Sequence, residues 1–234
     1  MMSEAITQYG QDIDLLIAVI AVIVGFFWIV CEGLLFYFVW RFRARPGHET
    51  SYVTGEDKKD TKWINRAHVL ILVCDVVIVI FAVKVWVEVK QTLPEPENAH
   101  VVRVVGQQWA WSFEHPGADG QLEGQRPDGS DATDDNIWTV DELHLQVNQM
   151  YHYKLESRDV LHSLSVPAFR LKQDAIPGRQ IMGWFQPLKT GTYDFQCAEM
   201  CGMGHGVMMA QVYITTPADH TAWMATHGSV VAND

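Results

Sequence analysis

Leu15 to Trp40 is an almost unbroken apolar run of 26 residues. A helix that is apolar on every face needs either a large protein core or a bilayer around it. At about 1.5 Å per residue this one exceeds the roughly 30 Å hydrocarbon core of a membrane. A second run, about Ala67 to Val87, is just long enough to span and carries Asp75 and Lys84. The first run is too long for the apolar stretch of a secretion signal, its flank is acidic (Glu4, Asp12, Asp14), and no small-residue cleavage site follows, so it is expected to be retained. Cys31 and Cys74 fall inside the apolar runs and are expected to be packing residues.

The charge pattern orients the spans. No Lys or Arg precedes the first, whereas Arg41, Arg43, Arg45, Lys58, Lys59, Lys62 and Arg66 lie between and beside the two. The positive-inside rule puts that loop in the cytoplasm and both chain ends outside. The resulting division is an extracytoplasmic arm (1–14), a helix hairpin (15–90) with a basic loop (41–66), a stiff Leu93-Pro94-Glu95-Pro96-Glu97 linker within 91–98, and a globular domain (99–234).

Of the net charge of −11, most sits outside: from Gln91 onward there are 18 Asp and Glu against 8 Lys and Arg. An acidic outer domain argues against nucleic acid as a partner and suits a basic protein, with simple solubility the other reading. The pattern there changes to short β-rich runs: 100–105, 109–113, 137–140, 143–147, 150–155, 180–185, 191–196 and 208–214. Turn residues such as Arg126-Pro127-Asp128-Gly129 punctuate them, which predicts a small all-β barrel or sandwich. Residues 119–135 read as a surface loop, and 217–226 as a short helix capped by Thr216.

The chemistry concentrates in Cys197-Ala-Glu-Met-Cys201-Gly-Met-Gly-His205-Gly-Val-Met208. Two thiolates, an imidazole and a thioether within twelve residues are soft or borderline ligands suited to copper. A single-copper electron-transfer site needs one Cys, so this loop has one sulfur too many for that and enough to bridge two coppers. His162, in Arg158-Asp159-Val160-Leu161-His162-Ser163, can supply a second imidazole. A Cys197–Cys201 disulfide suits an outer compartment but leaves His205 and Met208 unexplained. Zinc would accept two Cys and two His but gains little from Met208.

The C-x3-C-x3-H-x2-M run with its remote D-V-x-H-S resembles the dinuclear copper (CuA) loop of cytochrome c oxidase subunit 2. Trp109-Ala110-Trp111-Ser112-Phe113-Glu114 is similar to that family's aromatic segment, and Asp174-Ala175-Ile176-Pro177-Gly178-Arg179 to its D-A-I-P-G-R turn. The resemblance covers nearly the whole chain. It implies a two-helix transmembrane hairpin followed by an all-β Greek-key, cupredoxin-like barrel, in the inner membrane of a bacterium with the copper domain on the periplasmic side.

On that resemblance Cys197 and Cys201 bridge two coppers. His162 and Met208 complete one, and His205 and the Glu199 carbonyl the other. The Glu199 side chain would reach a magnesium shared with subunit 1. Trp109 would receive the electron from cytochrome c, soluble or complex-bound, and pass it through the copper centre toward the haem of subunit 1, where oxygen is reduced and protons are moved. Glu114, Asp119, Asp141, Glu156 and Asp159 are candidates for an acidic docking ring. Ala110 and Arg158 depart from the family pattern at that surface. Asp60, in Asp60-Thr61-Lys62-Trp63, resembles an acid near a proton-uptake path. Subunits 1 and 3 and membrane lipid are the implied partners. Two other classes stay open: the CuA subunit of a related nitric oxide reductase, and a non-catalytic scaffold, against which the intact ligand set argues. Met209, opposite Met208 on a strand, is expected in the core. The histidines at 48, 68, 100, 115, 144, 152, 220 and 227 are expected to be structural or exposed.

Overall fold

In a computed structural model the described residues are 4–47, 54–95, 99–117, 122 and 136–227. The first apolar run forms α1 (Gly10–Arg41), with Asp12 in its first turn and Arg41 in its last, each sign opposing the helix dipole at its end. The second forms α2 (Lys58–Trp86) and continues as a single π turn over Val87–Gln91. α2 starts ahead of the apolar run because Asp57 caps it, accepting a hydrogen bond from the Lys59 amide at 2.9 Å. Both helices are long and apolar enough to cross a membrane, and neither apolar stretch is buried by the protein itself. A soluble core helix would be covered by its own chain; these are not.

The chain divides into two compact units, Asp12–Val87 and the residues on either side of it. The second unit is all-β apart from short turns and α3 (Pro217–His227). Its strands are β1 (Ala99–Gln107), β2 (Ala110–His115), β3 (Ile137–Val140), β4 (Glu142–Gln146), β5 (Met150–Ser157), β6 (His162–Val166), β7 (Leu171–Ala175), β8 (Ile181–Phe185), β9 (Gly191–Cys197) and β10 (Met209–Thr215). They form two five-stranded sheets, β3-β2-β1-β5-β8 and β4-β10-β9-β6-β7. Most neighbours are antiparallel; β1 with β5 and β4 with β10 run parallel. Alternate side chains meet between the sheets: Trp111 and Phe113 of β2 stand edge-on to Phe195 of β9, with ring centres 4.9 and 5.2 Å apart.

Two helices followed by an all-β domain is the architecture the sequence predicts, and each of the eight predicted strands is present. Two strands, β6 and β7, were not predicted. Leu171-Lys-Gln-Asp-Ala of β7 has little apolar alternation. It is extended because it pairs with the buried β6 across a turn at Pro167–Phe169 and a left-handed Arg170. Most of the predicted 119–135 loop lies outside the described residues.

The N-terminal arm belongs to the β unit. Ile6, Thr7 and Tyr9 are buried. The Ile6 amide donates to the Ala168 carbonyl (2.9 Å) and its carbonyl accepts from the Leu188 amide (2.7 Å). The Thr7 hydroxyl donates to the Phe169 carbonyl, and Tyr9 packs edge-on against Trp184.

Candidate metal centre

β6 opens on His162, β9 ends on Cys197 and β10 begins after Met208, so one end of the second sheet gathers residues far apart in sequence. The Cys197 amide donates to the Met208 carbonyl (3.1 Å) and the Ala198 amide to the Ser163 carbonyl (2.9 Å). These two bonds close the 198–208 loop against β6. The result is a chain of donors: His162 Nδ1 to Cys197 Sγ 3.9 Å, Cys197 Sγ to Cys201 Sγ 3.7 Å, and Cys201 Sγ to His205 Nδ1 and to Met208 Sδ 3.7 Å each. The Glu199 carbonyl oxygen lies 3.3 Å from Cys197 Sγ. Both cysteines are free. Their sulfurs are too far apart for a disulfide of about 2.05 Å, and they span what one metal ion would bridge with two bonds of roughly 2.3 Å.

His162, Cys197 and Cys201 are the only three His, Cys, Asp or Glu side chains among the described residues whose ligand atoms lie within 4.8 Å of one another. Burial, and then the neighbouring Cys197 sulfur, pushes the Cys201 thiol up to about 11. Two adjacent buried thiolates are stable only beside positive charge, and a soft metal cation supplies it. The donor set therefore fits copper.

The supports of these ligands are specific. His162 is fully buried beside Trp111, and its Nε2 faces Asp159 Oδ1 at 2.8 Å, which leaves Nδ1 toward the sulfurs. Asp159 in turn accepts from the amides of Gln108 (2.7 Å) and Val160 (2.6 Å). Partial burial opposes ionisation of Asp159, but the Gln108 amide, the His162 ring and the Val160 amide together hold its carboxyl below the usual range. A Cβ on Gly106 would lie 3.1 Å from the His162 ring, a tight contact, so any larger residue there would press on the ring.

Trp109 covers the loop. Its Nε1 donates to the Cys201 carbonyl at 3.2 Å, and Gln108 Nε2 donates to the same oxygen at 2.8 Å. A Cβ on Gly204 would stand 2.4 Å from the indole. The ring is nonetheless 40% exposed.

Other predicted residues fall differently. Glu114, expected on a docking surface, is buried: Arg103 meets its Oε2 at 2.8 Å and Asn136 donates to its Oε1 at 2.8 Å. It is a structural ion pair. Asp119 lies outside the described residues, as does the side chain of Asp60, which itself falls in the first turn of α2. Asp141 adopts a left-handed conformation and accepts from the Trp111 amide, so it shapes the β3–β4 turn. Glu156 accepts from Gln180 Nε2. Asp159, expected among the docking acids, is the partner of His162; the D-x-x-H spacing was the available signal. Met208 is buried, whereas Met209, expected in the core, is exposed along with Met200, Met203 and Val207. His115, His144, His220 and His227 converge around Trp223, a grouping that no local spacing announced.

Known proteins of similar sequence point to one family. A family model described as cytochrome C oxidase subunit II, periplasmic domain, matches residues 100–215. An alternative cytochrome c oxidase subunit 2 of Bradyrhizobium diazoefficiens is 33% identical over 93% of this chain and 80% of its own length. The cytochrome c oxidase subunit 2 of Cereibacter sphaeroides is 28% identical over 88% of this chain and 72% of its own. The solved periplasmic domain of cytochrome oxidase subunit II from Bradyrhizobium japonicum is 29% identical, covers 60% of this chain and all of its own, and superposes with a TM-score of 0.48.

Proposed function

Because the chain belongs to the cytochrome c oxidase subunit II family, whose members are subunits of an oxidoreductase complex, we propose that it is the electron-accepting subunit of a haem–copper oxidase. In this reading it takes electrons from cytochrome c at a dinuclear copper (CuA) centre and delivers them to the haem of subunit 1. The observation that carries the reading is the run of donors from His162 through Cys197 and Cys201 to His205 and Met208, roofed by a partly exposed indole.

Two coppers held by these residues would supply a one-electron centre whose charge is shared across both metals. The chain's own part is to hold the donors in a nearly fixed frame, so that little moves when the charge changes. The pairing of Leu164 with Cys197, the Asp159 bond to His162 and the glycines beneath Trp109 serve that purpose. Trp109 gives an electron a route from the surface: one hydrogen bond to the Cys201 carbonyl, then the covalent path through Cys201 to its sulfur. The half-buried Glu199 is the residue for a magnesium shared with subunit 1, its carbonyl facing Cys197.

The chain is a membrane protein with two spans, and we assign the β unit to the periplasmic side of a bacterial inner membrane. The basic residues between the spans support this. The packing of the N-terminal arm into the same unit as residues 88–234 also supports it, since both ends of the spanning segment must then lie on one side. Subunit 1, subunit 3 and cytochrome c are the partners in this reading, and the outer acids Glu156 and Asp159 are the docking candidates that retain exposure.

Metal analysis of the purified complex tests the proposal. Two coppers per chain at this site, with a mixed-valence signal delocalised over both, are expected; a single copper or a zinc ion overturns it. Haem analysis of the same complex separates an oxidase from a nitric oxide reductase.

A further inference from the structure

A second cluster of metal-binding side chains lies in the β unit away from the sulfur loop. Where α3 meets the first sheet, a cavity of about 210 Å³ is lined by His100 of β1, His115 at the end of β2, Gln146, Tyr151, and His220 and Met224 of α3. His115 and His220 are 2% and 7% exposed, and the Nε2 of each is buried with no hydrogen-bond partner. Buried polar atoms are nearly always paired, so two unpaired nitrogens on residues that line one cavity call for a partner. From this geometry we propose that the cavity is a second metal site, which takes one transition-metal ion of the copper or zinc class on His115, His220 and His100.

The chemistry of the lining favours such an ion. A lining that offers three imidazoles, a thioether and no carboxylate suits copper or zinc and would bind magnesium or calcium poorly. Burial keeps the His115 ring unprotonated, with the charges of His144 and His220 acting the same way, down to about 3. Burial also lowers His220, against a hydrogen bond with the His144 backbone that raises it. Their lone pairs are thus available at neutral pH without competition from a proton. Trp223 fixes the rings: its centre is 5.1 Å from His115, edge-on, and 5.9 Å from His220. The three imidazoles are more open than the sulfur cluster, since they do not all lie within 4.8 Å of one another. His100 is the exposed member, edge-on to Tyr151, and closing the site requires its ring to turn inward.

The test uses the full untagged chain in detergent with Cys197→Ser and Cys201→Ser, so that the sulfur loop cannot compete and the outcome is independent of the copper reading above. Titration with Zn²⁺ alone at pH 7.5 should give one saturable equivalent per chain. His220→Gln and His115→Gln should each weaken it by about tenfold or more. The exposed His100→Ala, which leaves the core untouched, should weaken it as well. Cu²⁺ in place of zinc should show nitrogen hyperfine coupling that His220→Gln removes. Absence of saturable binding overturns the proposal, as does an affinity that none of the three variants changes; the cavity then holds water only. If His115→Gln fails to fold, His100→Ala and His220→Gln decide the matter.

Discussion

The indole of Trp109 and the backbone of Cys201 are joined directly: Nε1 donates to the Cys201 carbonyl at 3.2 Å while the residue remains 40% exposed. An exposed aromatic is common, and so is a hydrogen bond to a loop carbonyl. Their coincidence on the residue that carries a buried sulfur makes Trp109 a bridge between the surface and the donor cluster. Gly204 is the corollary, since any side chain there would displace the ring.

Replacing Trp109 by Phe keeps an aromatic ring but removes the bond to Cys201; replacing it by Ala removes both. Reduction of the copper centre by cytochrome c should slow in both, more in Trp109→Ala, by at least about tenfold, or 1.4 kcal/mol of barrier. Binding affinity should change little. Stopped-flow reduction with a separate binding titration distinguishes the two effects, and equal losses of rate and affinity would assign Trp109 to docking instead.

Asp159 holds the His162 ring so that Nδ1 meets the sulfurs. Partners of this kind typically account for a 10- to 100-fold share of metal affinity. Asp159→Ala should therefore lower copper retention by about that factor in a chelator competition, with Asp159→Asn recovering part of it through the remaining hydrogen bond. If Asp159 acted only in docking, copper retention would be unchanged.

The buried Arg103–Glu114 pair makes the opposite prediction to the one its charge suggests. Glu114→Ala leaves the Arg103 guanidinium buried without its carboxylate and should cost about 3–5 kcal/mol of stability in a denaturant titration. The salt dependence of the cytochrome c reaction should stay as it is. Glu156→Gln, on the surface, should show the reverse: stability unchanged within about 0.5 kcal/mol and a shallower salt slope.

What was legible in the sequence divides along physical lines. The candidate metal ligands were legible because copper chemistry restricts residue type: Cys197, Cys201, His205 and Met208 form a run of soft or borderline donors in any context. The spans were legible because a bilayer imposes length and apolarity together. Glu114 was misread because strand alternation places it opposite Trp111 and Phe113, facing outward. Arg103 and Asn136 cover that face from β1 and from beyond the loop, which no local pattern reveals. The packing of the arm was not legible for the same reason: Ile6, Thr7 and Tyr9 are too few to show a period, and their burial depends on Ala168, Trp184 and Leu188 far along the chain. The ring of histidines around Trp223 likewise exists only after α3 folds back onto β2 and β4.

Burial of the arm is itself measurable. Ile6 is 4% exposed and is fastened by backbone hydrogen bonds on both sides. Ile6→Ala should cost about 2–4 kcal/mol and lower the melting temperature of the β unit, followed through the copper absorption band. A fragment starting after α2 and lacking residues 4–11 should melt lower still. Equal melting with and without the arm would mean that it detaches in solution.

The last prediction concerns acid. His115 is buried and neutral: burial first, then the nearby His144 and His220 charges, lower it from the ordinary 6.5 to about 3. In the unfolded chain the same ring protonates near 6.5, so between those values the unfolded state binds more protons. Stability of the metal-free chain is therefore complete above about pH 6.5. It falls as the pH drops through the window toward 3, at up to about 1.4 kcal/mol per pH unit for this one proton. His144 and His220, also lowered by burial, steepen the fall. Asp174 is held below the usual carboxylate range by its polar neighbours Ser163 and Lys172, so it acts in the same direction only below about pH 4. Thermal melts from pH 7.5 to 4.5 should show the midpoint declining across the histidine window. His115→Gln should start lower and decline less steeply, because its side chain takes up no proton. A wild-type midpoint that is flat down to pH 5 would mean that His115 reaches solvent before the fold opens.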